Sequence, residues 1–190
     1  MNTSKSTTAI DSKGKLSYRK IAVITGVIFI IATLMGPILA RPLLPDLTGT
    51  DYLTRASAHP IQAAGGVLFS IIGYLACAGI AVVMYPVLKK WNAGLALGSV
   101  VFRTIETVFY MVGLMSLMSL LTLGQQFTTA AAADRTSLQA IGNLLVSIRD
   151  YAALLAVFAF CLGAFMYYYL FFQSRLIPRC CRASVSSRSS

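Results

Sequence analysis

Charge and histidine are what this chain has least of. Only 12% of its 190 residues are charged, six residues are acidic, and there is one histidine. Soluble domains carry about a quarter charged residues, so an ordinary water-facing surface cannot be built from this sequence. With 57% hydrophobic residues and a mean hydropathy of +0.74, a membrane protein is the default class. The lone histidine, His59 beside Pro60, excludes a His-pair metal site and an HExxH helix. Of the four cysteines, Cys77 and Cys161 lie in apolar runs and Cys180 and Cys181 are adjacent, which leaves no spaced framework for disulfides or zinc. All four read as reduced. No GxSxG, P-loop or dinucleotide fingerprint occurs, and Ala64-Gly65-Gly66 opens an apolar helix instead of a strand-to-helix turn. An enzyme would have to work with Glu106, Asp150 or His59 and no metal, so the expectation is a non-enzymatic protein without cofactor.

Basic residues are present, sixteen Lys and Arg for a formal net charge of +10. That excess would suit nucleic acid only if it formed one surface. It is instead distributed around apolar runs, and nucleic acid is not an expected partner; membrane lipids are, with a protein partner or self-association left open. Residues 1–20 are polar and lack an apolar period, as expected of a disordered tail. Four runs long enough to cross a bilayer follow, giving an all-α, polytopic transmembrane bundle over residues 21–173. Its spans are expected at about 21–40, 61–85, 93–120 and 149–172. Residues 174–190 form a basic Ser/Arg/Cys tail. Gly36-Pro37 should end or kink the first helix, whose basic lead also fits a signal peptide. Against cleavage, Ile38 occupies the third position before a cut at Ala40, where a small residue is wanted. Gln62, Gly66, Ser70, Gly73, Cys77 and Ala81 form a narrow stripe on the second span, the mark of close helix packing. Gly94-x-x-x-Gly98 marks another on the third. The fourth helix is expected to begin near Thr136 or Ser137, ahead of its apolar core.

The third run, Ala93 to Leu123, holds the unusual feature, Arg103 and Glu106 near its middle. Asn92, Ser99, Arg103, Glu106 and Tyr110 fall within about 60° of one another on a helical wheel. The opposite face carries Leu97, Val101, Ile105, Val108 and Val112. Isolated charges at mid-membrane cost about 3 kcal/mol each on insertion scales, and a spacing of three lets these two pair. Asp150 is the expected further partner, facing the bundle, with Arg149 turned toward the headgroups. The candidate intramembrane polar site is thus Arg103, Glu106, Asp150, Ser99, Tyr110 and Asn92, with no metal. Two roles fit it: a network fixing the register of the bundle, or the polar face of a small transporter or channel subunit with Glu106 titrating. The first leads to a structural or regulatory membrane component.

The string YPVLKKWNAGLALG from Tyr85 to Gly98, followed by Arg103 and Glu106, resembles the signature of the bacterial membrane family called domain of unknown function 4386. RKIAVITGVIFII, the Arg149-Asp150 pair and SRLIPR from Ser174 to Arg179 are similar too. The resemblance covers about residues 18 to 179 and implies a multi-span protein of the bacterial inner membrane with no assigned activity. It also implies about six spans and a Trp after the SRLIPR-like stretch, whereas this chain turns into CCRASVSSRSS. A frameshift or truncation after about Arg179 is the expectation, a genuine short cytoplasmic tail the alternative.

Lys5, Lys13, Lys15, Arg19, Lys20, Lys89, Lys90, Arg175, Arg179, Arg182 and Arg188 flank one side of the spans, and only Arg41, Arg55 and Arg135 the other. The positive-inside rule then puts both termini in the cytoplasm. Paired reporter fusions test this: a fusion near Thr48 should report the outside and a fusion at the tail the cytoplasm, and the reverse pattern would refute the orientation.

Overall fold

The computed structural model describes residues 18–49 and 51–174. Most of the amino-terminal tail, and the carboxyl-terminal stretch with Arg179, Cys180 and Cys181, lie outside the described residues. The described chain is all-helical: α1 (Tyr18–Thr33), a π-helical segment (Leu34–Ala40), α2 (Arg41–Leu43), α3 (Tyr52–Ala58), α4 (Pro60–Leu88), α5 (Ala93–Thr129) and α6 (Ala132–Ser174). Four stretches, Arg19–Leu43, Pro60–Leu88, Ala93–Thr129 and Ala133–Phe172, are long and apolar enough to cross a membrane. A multi-pass, all-helical membrane protein is therefore what this sequence folds into.

Local chemistry explains where the helices turn. Pro37 supplies no N–H, and its ring clashes with the carbonyl four residues back. The helix does not end there; it widens, and the Arg41 N–H reaches the Gly36 carbonyl five residues earlier. Pro60 occupies the first turn of α4, where a missing N–H costs nothing. α4 continues through Pro86 to Leu88. α5 is capped by Asn92, whose Oδ1 accepts from the Leu95 N–H at 3.1 Å. α6 starts at Ala132, upstream of Thr136 and Ser137.

At about 1.5 Å per residue, α5 spans about 55 Å and α6 about 64 Å, well beyond a hydrocarbon core of about 30 Å. Their surplus forms a two-helix extension at the α5–α6 turn, and α3 packs against it. Tyr52 and Leu53 of α3 join Leu120 and Leu123 in one core cluster, with Phe127, Leu138 and Leu145 against it. The Tyr52 hydroxyl donates to Asn143 Oδ1 at 2.7 Å, and burial pushes its pKa up. The connection before α3 is held by polar bonds. Asp46 accepts from the Thr48 N–H at 3.0 Å and hydroxyl at 2.9 Å, and Arg55 lies 3.5 Å from its carboxylate. The Thr48 N–H first, then its hydroxyl and Arg55, hold the Asp46 carboxyl below its ordinary pKa.

The long helices pack in sequence, α1 on α4, α4 on α5, α5 on α6. The small stripe of α4 faces the first span and the connection after it, with Gly66, Ser70, Gly73 and Ala81 buried, while Gln62 at its start is exposed. A Cβ on Gly73 would lie 3.1 Å from the Gly36 nitrogen, and one on Gly66 would meet Leu43 and Leu44. On α6 the packing stripe is Ala152, Ala156 and Ala159, all buried, continued by Gly163 against Phe102. Of the Gly94 and Gly98 pair, Gly98 makes the interhelix contact, with Met166; a Cβ on Gly94 would meet Asn92 of its own turn. Leu88, Ala96 and Leu170 draw α4, α5 and α6 together at one end.

A side chain at Gly73 must force α1 from α4. Gly73→Leu should lower stability to thermal unfolding in detergent by about 1–3 kcal/mol, whereas Gly79→Leu, with nothing within 4 Å of its Cβ position, should melt like the parent. Equal melting of both variants would refute this packing.

Candidate functional site

The polar stripe of α5 is turned inward. Ser99 is fully buried and Glu106 is 6% exposed, while Leu97, Val101, Ile105, Val108 and Val112 opposite are 38–55% exposed. That is the arrangement lipid demands of a two-sided helix. Glu106 accepts from Arg103 Nη1 at 3.1 Å through Oε2 and 3.4 Å through Oε1. Both oxygens share one guanidinium nitrogen, so the contact is an ion pair within one helical turn and not a two-nitrogen fork. The Arg103 guanidinium also lies over the Phe160 ring of α6, 4.7 Å from its centroid, a cation–π contact. Gly163 lets α6 come this close, since a Cβ there would sit 3.3 Å from Phe102 Cβ and 3.8 Å from Arg103 N.

The other expected members divide. Ser99 donates to the Ala96 carbonyl at 2.8 Å and so satisfies itself within its own helix. Tyr110 stacks on Tyr74 of α4, with ring centroids 4.4 Å apart and planes 5° from parallel. Beside this stack, the Thr107 hydroxyl donates to the carbonyls of Arg103 at 3.0 Å and Tyr74 at 3.4 Å, tying α5 to α4. Asn92 is the helix cap, at the end of α5 and away from the ion pair. Asp150 is not brought to Arg103 and Glu106: its nearest cation is Arg149, at 3.9 Å.

The orientation expected for Arg149 and Asp150 is reversed, for a packing reason. The Ala152, Ala156, Ala159 and Gly163 stripe fixes the rotation of α6, and at about 100° per residue Asp150 lies about 160° from Ala152 while Arg149 lies about 60° from it. The Asp150 side chain is accordingly 66% exposed and that of Arg149 only 37%. The small-residue spacing 152, 156, 159, 163 is the sequence signal that would have set this rotation.

Sequence reasoning also missed a cavity of about 740 Å³ between the π-helical segment, the connection after α2, α4 and α6. Arg41, Asp46, Thr48, Ser70, Tyr74, Arg149 and Asp150 supply its polar lining. Ser99, Arg103, Glu106 and Tyr110 are not among its lining residues, so the buried pair and the cavity are separate features that meet only through Tyr74 and its stack.

A family model described as Domain of unknown function (DUF4386) matches residues 24–181. The chain belongs to the DUF4386 family. The match takes in the first span from residue 24 on, the other three long helices and the Arg103–Glu106 pair of this DUF4386 protein. No curated protein and no solved structure matches the chain at a significant level.

Proposed function

We propose that this DUF4386 protein is a non-enzymatic structural or regulatory component of the bacterial inner membrane, with both termini in the cytoplasm, acting through helix packing and through lipid or protein partners. The observation that carries the reading is the closure of the Arg103–Glu106 pair. Its two charges bond to each other, Phe160 covers the guanidinium, and neither residue lines the large cavity. A proton-carrying carboxylate needs a wet path to both sides of the membrane, whereas a carboxylate locked to a neighbouring guanidinium suits a fixed register.

The alternative is a small transporter or channel subunit using the Arg103 and Glu106 face. Its support is the polar inward stripe itself, together with a cavity that reaches the Tyr74–Tyr110 stack. Proteoliposomes loaded with a pH-sensitive dye separate the two readings. The structural reading expects an imposed pH gradient to decay no faster than in protein-free vesicles, with no difference between the parent and Glu106→Gln. A proton flux that Glu106→Gln abolishes would overturn it in favour of transport.

A further inference from the structure

The cavity between the first span and α6 has a charge arrangement that points to a ligand. Two guanidinium groups and two carboxylates line it, but they are not equally committed. Asp46 is engaged by the Thr48 N–H, the Thr48 hydroxyl and Arg55. Asp150 is 3.9 Å from Arg149, too far for a hydrogen bond. Arg41 makes no ion pair or side-chain hydrogen bond among the described residues. With Asp46 engaged, Arg41 and Arg149 stand against the single carboxylate of Asp150, so the charge that remains in the cavity is net positive.

Depth narrows the chemistry. Arg41 directly follows the first apolar run, which ends at Ala40, and Arg149, with Asp150 after it, precedes the apolar core of the fourth span, which begins at Tyr151. Both cations thus stand at a membrane–water boundary, the level of lipid headgroups. The wall between them is apolar, with Pro37, Leu44, Leu47 and Val146, and the volume lies within the range of about 300–1,000 Å³ typical of small-molecule sites. Tyr74 adds a phenol at the inner end.

We infer that this cavity binds an amphiphile with an anionic phosphate headgroup, the headgroup held between Arg41 and Arg149 and the chain lying along Pro37, Leu44 and Val146. Guanidinium groups are suited to phosphate oxygens by their planar set of donors. The site goes beyond the structural or regulatory reading and does not depend on it, because it uses no residue of the Arg103–Glu106 pair.

Calorimetric titration of the full chain in an uncharged detergent tests the inference, with dodecyl phosphate as probe and inorganic phosphate as the headgroup-like anion without a chain. Dodecyl phosphate should bind saturably at one site, and inorganic phosphate at least tenfold more weakly. Arg149→Gln and Arg41→Gln should each weaken dodecyl phosphate about tenfold, the scale of one charged hydrogen bond. Arg135→Gln, outside the cavity, should bind like the parent. Arg41 is exposed and has no ion pair or side-chain hydrogen bond among the described residues, so Arg41→Gln keeps the test valid if Arg149→Gln does not fold. Absence of saturable binding, equal affinity for inorganic phosphate, or unchanged affinity in Arg41→Gln would each overturn the proposal.

Discussion

The ion pair of Arg103 and Glu106 sits about 15–20 Å along α5 from Ala93, where lipid would surround it if nothing else did. Neither charge is tolerable alone at that depth. One face of α5 must therefore be covered by protein, and the cover must come close. α6 provides it with Gly163 at the backbone and Phe160 over the guanidinium, and α4 with the Tyr74 ring stacked on Tyr110. The lipid-facing side of α5 then follows from the same constraint, since the residues left over are Leu97, Val101, Ile105, Val108 and Val112.

Small residues determine how the remaining helices answer that demand. Van der Waals packing, not water exclusion, drives association inside a bilayer, so close approach counts for more than apolar bulk. Gly73 against Gly36 fixes the π-helical segment of the first span on α4; Ala152, Ala156 and Ala159 fix the rotation of α6. That rotation carries Arg149 toward α5 and Asp150 outward, and so separates the charges of α6 from the buried pair. α4 and α6 converge through Leu88 and Leu170, while toward their other ends the cavity with its boundary arginines lies between them.

Much of this was legible in the sequence, and what was not has a physical explanation. Apolar runs as long as a bilayer core is thick point to four spans, because a continuous apolar run of that length satisfies its backbone in lipid as a helix. The helical wheel of α5 gave its buried and exposed faces, since a charge has only one tolerable direction there. The stripe of Gly66, Ser70 and Gly73 gave a packing face, though not its partner, because small residues say how near a neighbour comes and not which neighbour it is. α3 leaves no such signal: its buried Tyr52, Leu53 and Ala56 occupy barely two turns, too short for a period to stand out. The face that Asn143, Ser147 and Asp150 share with Cys161 points to an inward Asp150, whereas the alanine and glycine spacing on the same helix governs its direction. The cavity belongs to three separate segments of chain and leaves no pattern in any one of them.

A double-mutant cycle on Arg103 and Glu106 tests the central claim most directly, read as unfolding free energy of the full chain in mixed detergent micelles. Arg103→Leu and Glu106→Leu should each cost about 3–5 kcal/mol, because each strands the opposite charge in a dry site. The double variant should cost far less than the two together, with a coupling of about 2 kcal/mol or more. Additive losses, or single variants as stable as the parent, would show that the two charges do not depend on each other and that the bundle is not organised around them.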